Sequence, residues 1–319
     1  MEVRRLAAVA ALTAATAAAS AAALAVPAAA DEWRMMTGPQ GGVWVPLGGA
    51  LKAMWEKSIP GVSIQVLPGA GISNVRAIEE GKADIGFGNS NSTVDAVRGV
   101  EPFKTAHKNV CNLATLYPQF YQVVVLASAK IETIADLKGK SITTQTKGNT
   151  GELITQHLLR TAGLTYKDVK VSFGSYTDSV AQMQDGHAQV FTLGTTIPAA
   201  TVMDLAVARD IKLLDLSSSI EAMRKINPGY ALVTVPKGTY AKQDADVKVI
   251  GYMTHLVVSC KLPEDKVYAM AKTVAGSVAD MSAINKSMAS LTPAAMATDI
   301  GVPLHPGAAK FYKDSGALK

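Results

Sequence analysis

Arginine, histidine and cysteine are scarce in this 319-residue chain, and each shortage closes off some chemistry. The five histidines, His107, His157, His187, His255 and His305, are dispersed. None sits in an H-E-x-x-H or other spacing that would set two imidazoles on one metal. There is no G-x-S-x-G elbow, no P-loop and no G-x-G-x-x-G fingerprint, so the chain shows no nucleophile, nucleotide or dinucleotide motif. No metal and no cofactor are expected. The formal net charge of +5 is spread over scattered lysines, without a basic block or basic-aromatic interleaving, and this argues against a nucleic-acid partner. The two cysteines, Cys111 and Cys260, have no histidine at ligand spacing. Whether they pair is left open by the sequence.

The chain opens as an export signal. Arg4 and Arg5 precede an alanine-rich apolar run, and Ala28-Ala29-Ala30 supplies a small-residue cleavage site before Asp31. Residues 1–30 are therefore expected to be removed. The signal lacks a cysteine for lipid attachment, and no later apolar run is long enough to span a bilayer. A soluble protein of the periplasm is expected, in a compartment that permits a disulfide. Six arginines follow the signal: Arg34, Arg76, Arg98, Arg160, Arg209 and Arg224.

Strand and helix patterns alternate from there. Glu32–Met36 reads as a strand. It runs into Thr37-Gly38-Pro39-Gln40-Gly41-Gly42-Val43-Trp44, a glycine-rich turn, and then a helix through Leu47, Leu51, Met54 and Trp55. The free N–H groups of such a helix start bind anions. Strands at 62–66 and 83–87 flank a short helix, Ser73–Gly81. Residues 111–116 and 123–127 read as two buried strands. A second unit starts near Lys130, with a strand at 141–144, the loop Lys147-Gly148-Asn149-Thr150-Gly151 and a helix at 152–162. A strand at 169–173, a helix at 177–184 and a strand at 188–192 follow. Beyond Asp215 the pattern reads as mainly helical, at 249–258, 263–274 and 279–288. The fold expected is α/β, with two lobes and a cleft between them: 31–127 with 216–319 as lobe 1, and 128–215 as lobe 2.

Several segments resemble the TAXI family, the TRAP-associated extracytoplasmic immunogenic proteins that serve one class of TRAP transporters. They are Gly41-Gly42-Val43-Trp44-Val45-Pro46-Leu47-Gly48-Gly49-Ala50-Leu51, Gly81-Lys82-Ala83-Asp84-Ile85-Gly86-Phe87, Leu116-Tyr117-Pro118, Asp136-Leu137-Lys138-Gly139-Lys140 and, near the end, Val302-Pro303-Leu304-His305-Pro306-Gly307-Ala308-Ala309-Lys310-Phe311-Tyr312. The resemblance implies a periplasmic binding protein type II fold, two lobes joined by hinge strands. It implies a monomer that passes a small organic acid or amino acid to integral-membrane TRAP permease subunits. It also places the ligand loops at Gln40, Gly41, Gly42 and Trp44; at Asn89, Ser90 and Asn91; at Tyr117 and Tyr121; at Asn149, Thr150 and Gly151; and at Gly194, Thr195 and Thr196. Family members often carry Gln-Ser-Asp where this chain has Asn89-Ser90-Asn91, and Thr or Tyr near Gln40 and Trp44.

No arginine lies in these loops, so a carboxylate would be held by helix N-termini and neutral donors, especially Ser90, Asn149 and Thr150, with Lys147 as a possible supplement. Trp44, Tyr117 and Tyr121 are candidate pocket walls. Asn89 and Asn91 have helix capping as their alternative role. His305 is expected to make a structural hydrogen bond, and Asp84 a turn hydrogen bond. The competing function readings are a receptor of an ABC importer or a sensor, and, more remotely, a periplasmic enzyme on the same fold.

Overall fold

The computed structural model describes residues 31–319, so the expected signal, residues 1–30, lies outside the described residues. The first half-unit is β1 (Asp31–Met36), α1 (Trp44–Ser58), β2 (Val62–Leu67), α2 (Gly71–Glu79), β3 (Ile85–Asn89) and α3 (Ser90–Arg98). A long strand, β4 (Val110–Leu126), leaves it. The second half-unit is β5 (Ser141–Gln145), α4 (Thr150–Thr161), β6 (Lys170–Gly174), α5 (Tyr176–Gln184), β7 (Val190–Thr195), α6 (Ala200–Ala208) and β8 (Ile211–Leu213). Then come α7 (Ile220–Ile226), β9 (Ala231–Val235), a second long strand β10 (Val247–Ser259), α8 (Glu264–Gly276), α9 (Val278–Ile284), α10 (Pro293–Met296) and α11 (Pro306–Asp314).

The sheet order is β2-β1-β3-β10-β4-β7-β5-β6, with β8 on β4 and β9 on β10. The strands pair in parallel within each half, β1 with β3 and β5 with β6 and β7, as expected of strands joined through helices. The centre is different. There β4 and β10 run antiparallel through both halves.

Two expectations fail on these central strands. Residues 111–116 and 123–127 are one strand of 17 residues. Pro118 does not break it. Met253 pairs with Pro118 and His255 with Thr115, so Leu116 and Tyr117 together oppose Thr254. Such a bulge accommodates a residue without an N–H. Residues 249–258 are not a helix but the body of β10. A continuous apolar run fits a strand buried on both faces as well as a buried helix.

Two main hydrophobic clusters form. One gathers Met35, Leu47, Trp55, Phe87, Leu256, Met270 and Tyr312; the other gathers Val123, Ile142, Leu158, Phe191, Leu205 and Tyr240. Ile220, Met223, Tyr230, Val235, Val249 and Tyr252 also pack in the second cluster. The packing thus divides the chain later than residue 215, and β10 passes from one cluster to the other between Tyr252 and Leu256. Helices α8 and α11 pack on the first cluster through Val267, Met270, Ala308 and Phe311.

Cys111 and Cys260 form a disulfide, with Cα atoms 5.2 Å apart. The ladder brings them together by pairing Cys111 with Val258 and Val110 with Ser259. The bond spans a sequence separation of 149 residues. In the chain-entropy account a loop of that size contributes up to about 5 kcal/mol. The double variant Cys111→Ser/Cys260→Ser should therefore lose about 3–5 kcal/mol in urea unfolding relative to the oxidised protein. An unchanged midpoint would contradict this.

Candidate functional site

Three helices start where the two halves meet. Val43, Asn89 and Asn149 directly precede α1, α3 and α4, and all three border one small cavity. Tight turns deliver two of these starts: Gly41 at φ +83° before α1, and Gly148 at φ +89° before α4, a region that side-chain-bearing residues rarely adopt. Asn149 caps α4, its Oδ1 accepting from the Gly151 N–H at 2.7 Å. Val43 and Asn89 provide no side-chain cap, so the opening turns of α1 and α3 keep N–H groups that no side chain of the cap residue satisfies. Three positive helix ends thus converge on one space.

The remaining wall comes from both halves and from the central strands. Trp44 stacks on Phe87, centroids 5.2 Å apart and planes 13° apart. Gln119 reaches in from β4 and Tyr252 from β10, with Tyr176 at the start of α5 and Gly194 and Thr195 at the end of β7. Tyr176 donates its hydroxyl hydrogen to the Gly194 carbonyl at 2.8 Å. A side chain at Gly194 would collide with the Tyr252 hydroxyl, so glycine is required there. None of the lining residues carries a charge. About 20 Å³ is open to the centre of a water molecule, space for about one water.

Polar atoms without partners gather here. Trp44 Nε1, Asn89 Oδ1 and Gln119 Oε1 are buried and make no hydrogen bond. The Tyr117 hydroxyl lies beside Thr254, Trp44 and Asn285 but forms no well-aligned bond, and burial pushes its pKa up. Each unpartnered buried polar atom costs about 1–3 kcal/mol. Several of them around one inter-lobe space mark it as a place for a hydrogen-bonding solute.

The halves also touch directly. The Ser73 N–H and hydroxyl both donate to the Gly148 carbonyl, at 3.0 and 3.2 Å. Ser92 and Thr150 share a hydroxyl–hydroxyl bond of 2.9 Å. On another edge of the cleft Asn227 donates to Asp95 at 2.7 Å.

Of the residues expected at the site, Gly42, Trp44, Asn89, Asn149, Gly194 and Thr195 line the small cavity together. The others stand apart from its lining. Gln40 is exposed, and Gly41 and Thr196 border a larger neighbouring cavity. The Ser90 hydroxyl accepts from the Met253 N–H at 3.0 Å, and Ser90 and Asn91 line a separate pocket near Asp95. Tyr117 is fully buried behind Trp44, and Tyr121 bonds Thr155 at 2.7 Å. Thr150 is held by Ser92, and Gly151 packs on Gln145. Asn89 does precede a helix, but its side chain makes no capping bond. Lys147 sits over the Phe173 ring, 5.6 Å from its centroid. Sequence reading missed Pro39, Tyr176 and Tyr252 as lining residues, and it did not single out Gln119 within the segment Tyr117–Tyr121. The position of Gln119 between Tyr117 and Tyr121, beside Pro118, is the local signal that could have singled it out.

His157, His255 and His305 make hydrogen bonds inside the fold. His255 lies on β10 rather than on a helix, and its ring bonds Asn112 at 3.1 Å and Thr93 at 2.8 Å. Burial pushes its pKa down to about 3. His305 Nδ1 accepts from the Gly307 N–H at the start of α11, as a structural role requires. Asp84 accepts from the Arg34 N–H at 2.8 Å, tying the start of β3 to β1. Among the described residues no cluster of three or more candidate ligands could hold a metal, and no helix is long and apolar enough to cross a membrane.

Residues 35–316 match the NMT1-like family, and the chain belongs to it. Its fold is similar to that of PhnD1 from Prochlorococcus marinus in complex with methylphosphonate, at TM-score 0.54 and 12% identity over 90% of this chain and 99% of that one. It is similar to a protein of Bordetella bronchiseptica RB50, at TM-score 0.53 and 17% identity over 90% and 89%. It also matches a putative L-cystine ABC transporter from Listeria monocytogenes, at TM-score 0.49 and 15% identity over 81% and 95%. The chain has the two-lobe type II fold of periplasmic solute-binding proteins.

Asp95 makes the contact between the lobes pH-dependent. Burial raises its pKa from 3.8 to about 6, against the opposing pull of Asn227 and Arg98. A carboxyl raised in the folded state favours folding at low pH, and that contribution is lost as pH rises through about 6. Asp95→Asn should flatten the change in urea-unfolding stability between pH 4 and pH 7. A variant with the parent's full pH dependence would contradict this assignment.

Proposed function

We propose that this protein is the extracytoplasmic receptor of a membrane importer, and that its lobes close on a small anionic solute. One observation carries the reading: the starts of α1, α3 and α4 converge on an inter-lobe cavity whose lining has no charged side chain. Each helix end contributes about 0.3–2 kcal/mol toward an anion. Each neutral hydrogen bond adds about 0.5–1.5 kcal/mol. Three ends with the amide groups of Asn89 and Asn149 hold a small acid without an arginine fork once the costs of association are met; Gln119 presents its acceptor oxygen, since its Nε2 donates to Thr254 at 2.6 Å. The arrangement binds and releases, and no bond is made or broken in it. The periplasm is the compartment we propose for this role, in keeping with the fold shared with periplasmic solute-binding proteins.

The partner we propose is an ABC importer, in keeping with the fold shared with periplasmic binding proteins. A TRAP permease is the second reading, favoured by the likeness of Val302–Tyr312 to TAXI proteins. This segment bonds the edge of β4, where the His305 N–H donates to the Asn112 carbonyl at 2.9 Å. Uptake by the reconstituted importer separates the two: ATP hydrolysis drives the first, an ion gradient the second.

Binding itself has a direct test. A panel of organic acids and amino acids should contain a ligand that raises Tm and compacts the protein in small-angle scattering. Asn149→Ala with Thr150→Ala should weaken that ligand about tenfold. The double variant should lower the ligand-free stability by only about 1–2 kcal/mol. Unchanged affinity would remove the α4 start from the site, and no stabilisation by any member of the panel would sink the receptor reading.

A further inference from the structure

A larger cavity adjoins the small one. The two share Gly42, Val43 and Thr195 as a common wall. About 540 Å³ of the larger is open to the centre of a water molecule, within the range of small-molecule sites. Its sides are mostly apolar: Val45 and Pro46 at the start of α1, Ile197, Pro198 and Ala199 before α6, and Ile284 at the end of α9. Val45 and Ile284 remain 41% and 37% exposed, so the protein holds large apolar side chains against water beside the cleft. Apolar surface gathered beside a cleft marks a binding groove more often than scattered single residues do. Gly42 belongs to the wall that the two cavities share, packed against the Pro39 carbonyl and the Tyr176 ring.

The charges point the same way. Neither cavity is lined by an aspartate or a glutamate, and Lys286 is the one charged residue bordering either. Helix α6 starts at the larger cavity without a side-chain cap. An ammonium group entering this space would lose its water and meet no carboxylate: the acceptors there, Asn89 Oδ1 and Gln119 Oε1, are neutral, and the helix starts are positive. A carboxylate would meet the complementary helix starts, while Trp44 Nε1, a buried donor without a well-aligned bond, lies beside the Tyr117 hydroxyl.

We infer that the solute is a monocarboxylate with an apolar body and no ammonium group. Its carboxylate lies at the starts of α1, α3 and α4, and its body lies in the cavity between α1 and α6. This deepens the receptor reading above and rests on it. It separates organic acids from amino acids, which share a carboxylate but differ in the group that these walls cannot neutralise.

The test is titration calorimetry on purified protein stripped of bound solute. The probes are aryl and branched-alkyl carboxylates led by 3-phenylpropanoate, each matched with the amino acid of the same skeleton, and acetate. The hydrophobic acids should bind about 100-fold more tightly than either acetate or the matched amino acids. Ala200→Trp, which fills the larger cavity from an exposed position, should weaken the best hydrophobic acid about tenfold or more. If that variant fails to fold, Ile284→Asp at the rim serves the same purpose. Acetate or an amino acid binding as tightly as the hydrophobic acids, or full affinity in the filled variant, would overturn the inference and leave the receptor reading standing. No binding by any acid or amino acid would overturn both.

Discussion

The antiparallel pairing of β4 with β10 is the constraint on which the rest of the molecule depends. These strands, 17 and 13 residues long, are the only ones that contribute side chains to both main hydrophobic clusters among the described residues. One parallel set of strands attaches to β10 through β3, and the other attaches to β4 through β7. Both strands run through both lobes, so the lobes are joined by two continuous strands that stay paired along their length. Relative motion of the lobes must therefore bend paired strands rather than swing a loose linker. The disulfide lies at one end of the ladder and fixes the register of the first lobe. The bulge at Leu116 and Tyr117 lies at the height of the cleft, where Gln119 and Tyr252 turn into the cavity.

The cleft holds its polar groups sparingly. Outside it, buried polar side chains are mostly paired: His255 with Asn112 and Thr93, Asn74 with three backbone groups, and Thr155 with Tyr121, Thr144 and Thr192. The pairing of His255 has a positional effect. It ties β10 to β4 and to α3, so the start of α3 is fixed relative to the ladder. Trp44, Asn89 and Gln119 break this pattern at the place where three helix ends meet. Pre-arranged dipoles with no side-chain charge nearby favour an anion without the desolvation cost of a buried arginine. The scarcity of arginine in the sequence and the uncharged lining of the cavity therefore express one electrostatic choice.

Much of the architecture was legible because it is local. Glycine at 41 and 148 turns a strand end into a helix start, and such turns are set by a few residues in sequence. Gly42, Trp44, Asn89, Asn149, Gly194 and Thr195 lie at strand ends, turns and helix starts, where the family resemblance had placed the ligand loops. Tyr121 and Ser90 were placed in ligand loops by the same resemblance, yet they lie in β4 and at the start of α3, and their hydroxyls are taken up by Thr155 and the Met253 N–H. No local pattern records which hydroxyl finds a partner across the sheet. The misreading of 249–258 has a related cause, since an apolar run buried on both sides shows no period of two.

The amino-acid sequence by itself determined the alternation of strand and helix, the glycine turns that start α1 and α4, the lack of arginine near them, and the absence of recognisable catalytic motifs. Those features depend on residues a few positions apart. Only the tertiary structure decided that Cys111 meets Cys260, that β10 is a strand shared by both lobes, and that Gln119, Tyr176 and Tyr252 close the cavity. It alone brought the apolar residues of α1, α6 and α9 around a second space. These outcomes join segments more than 50 residues apart, where long-range pairing and burial, rather than local propensity, set the geometry.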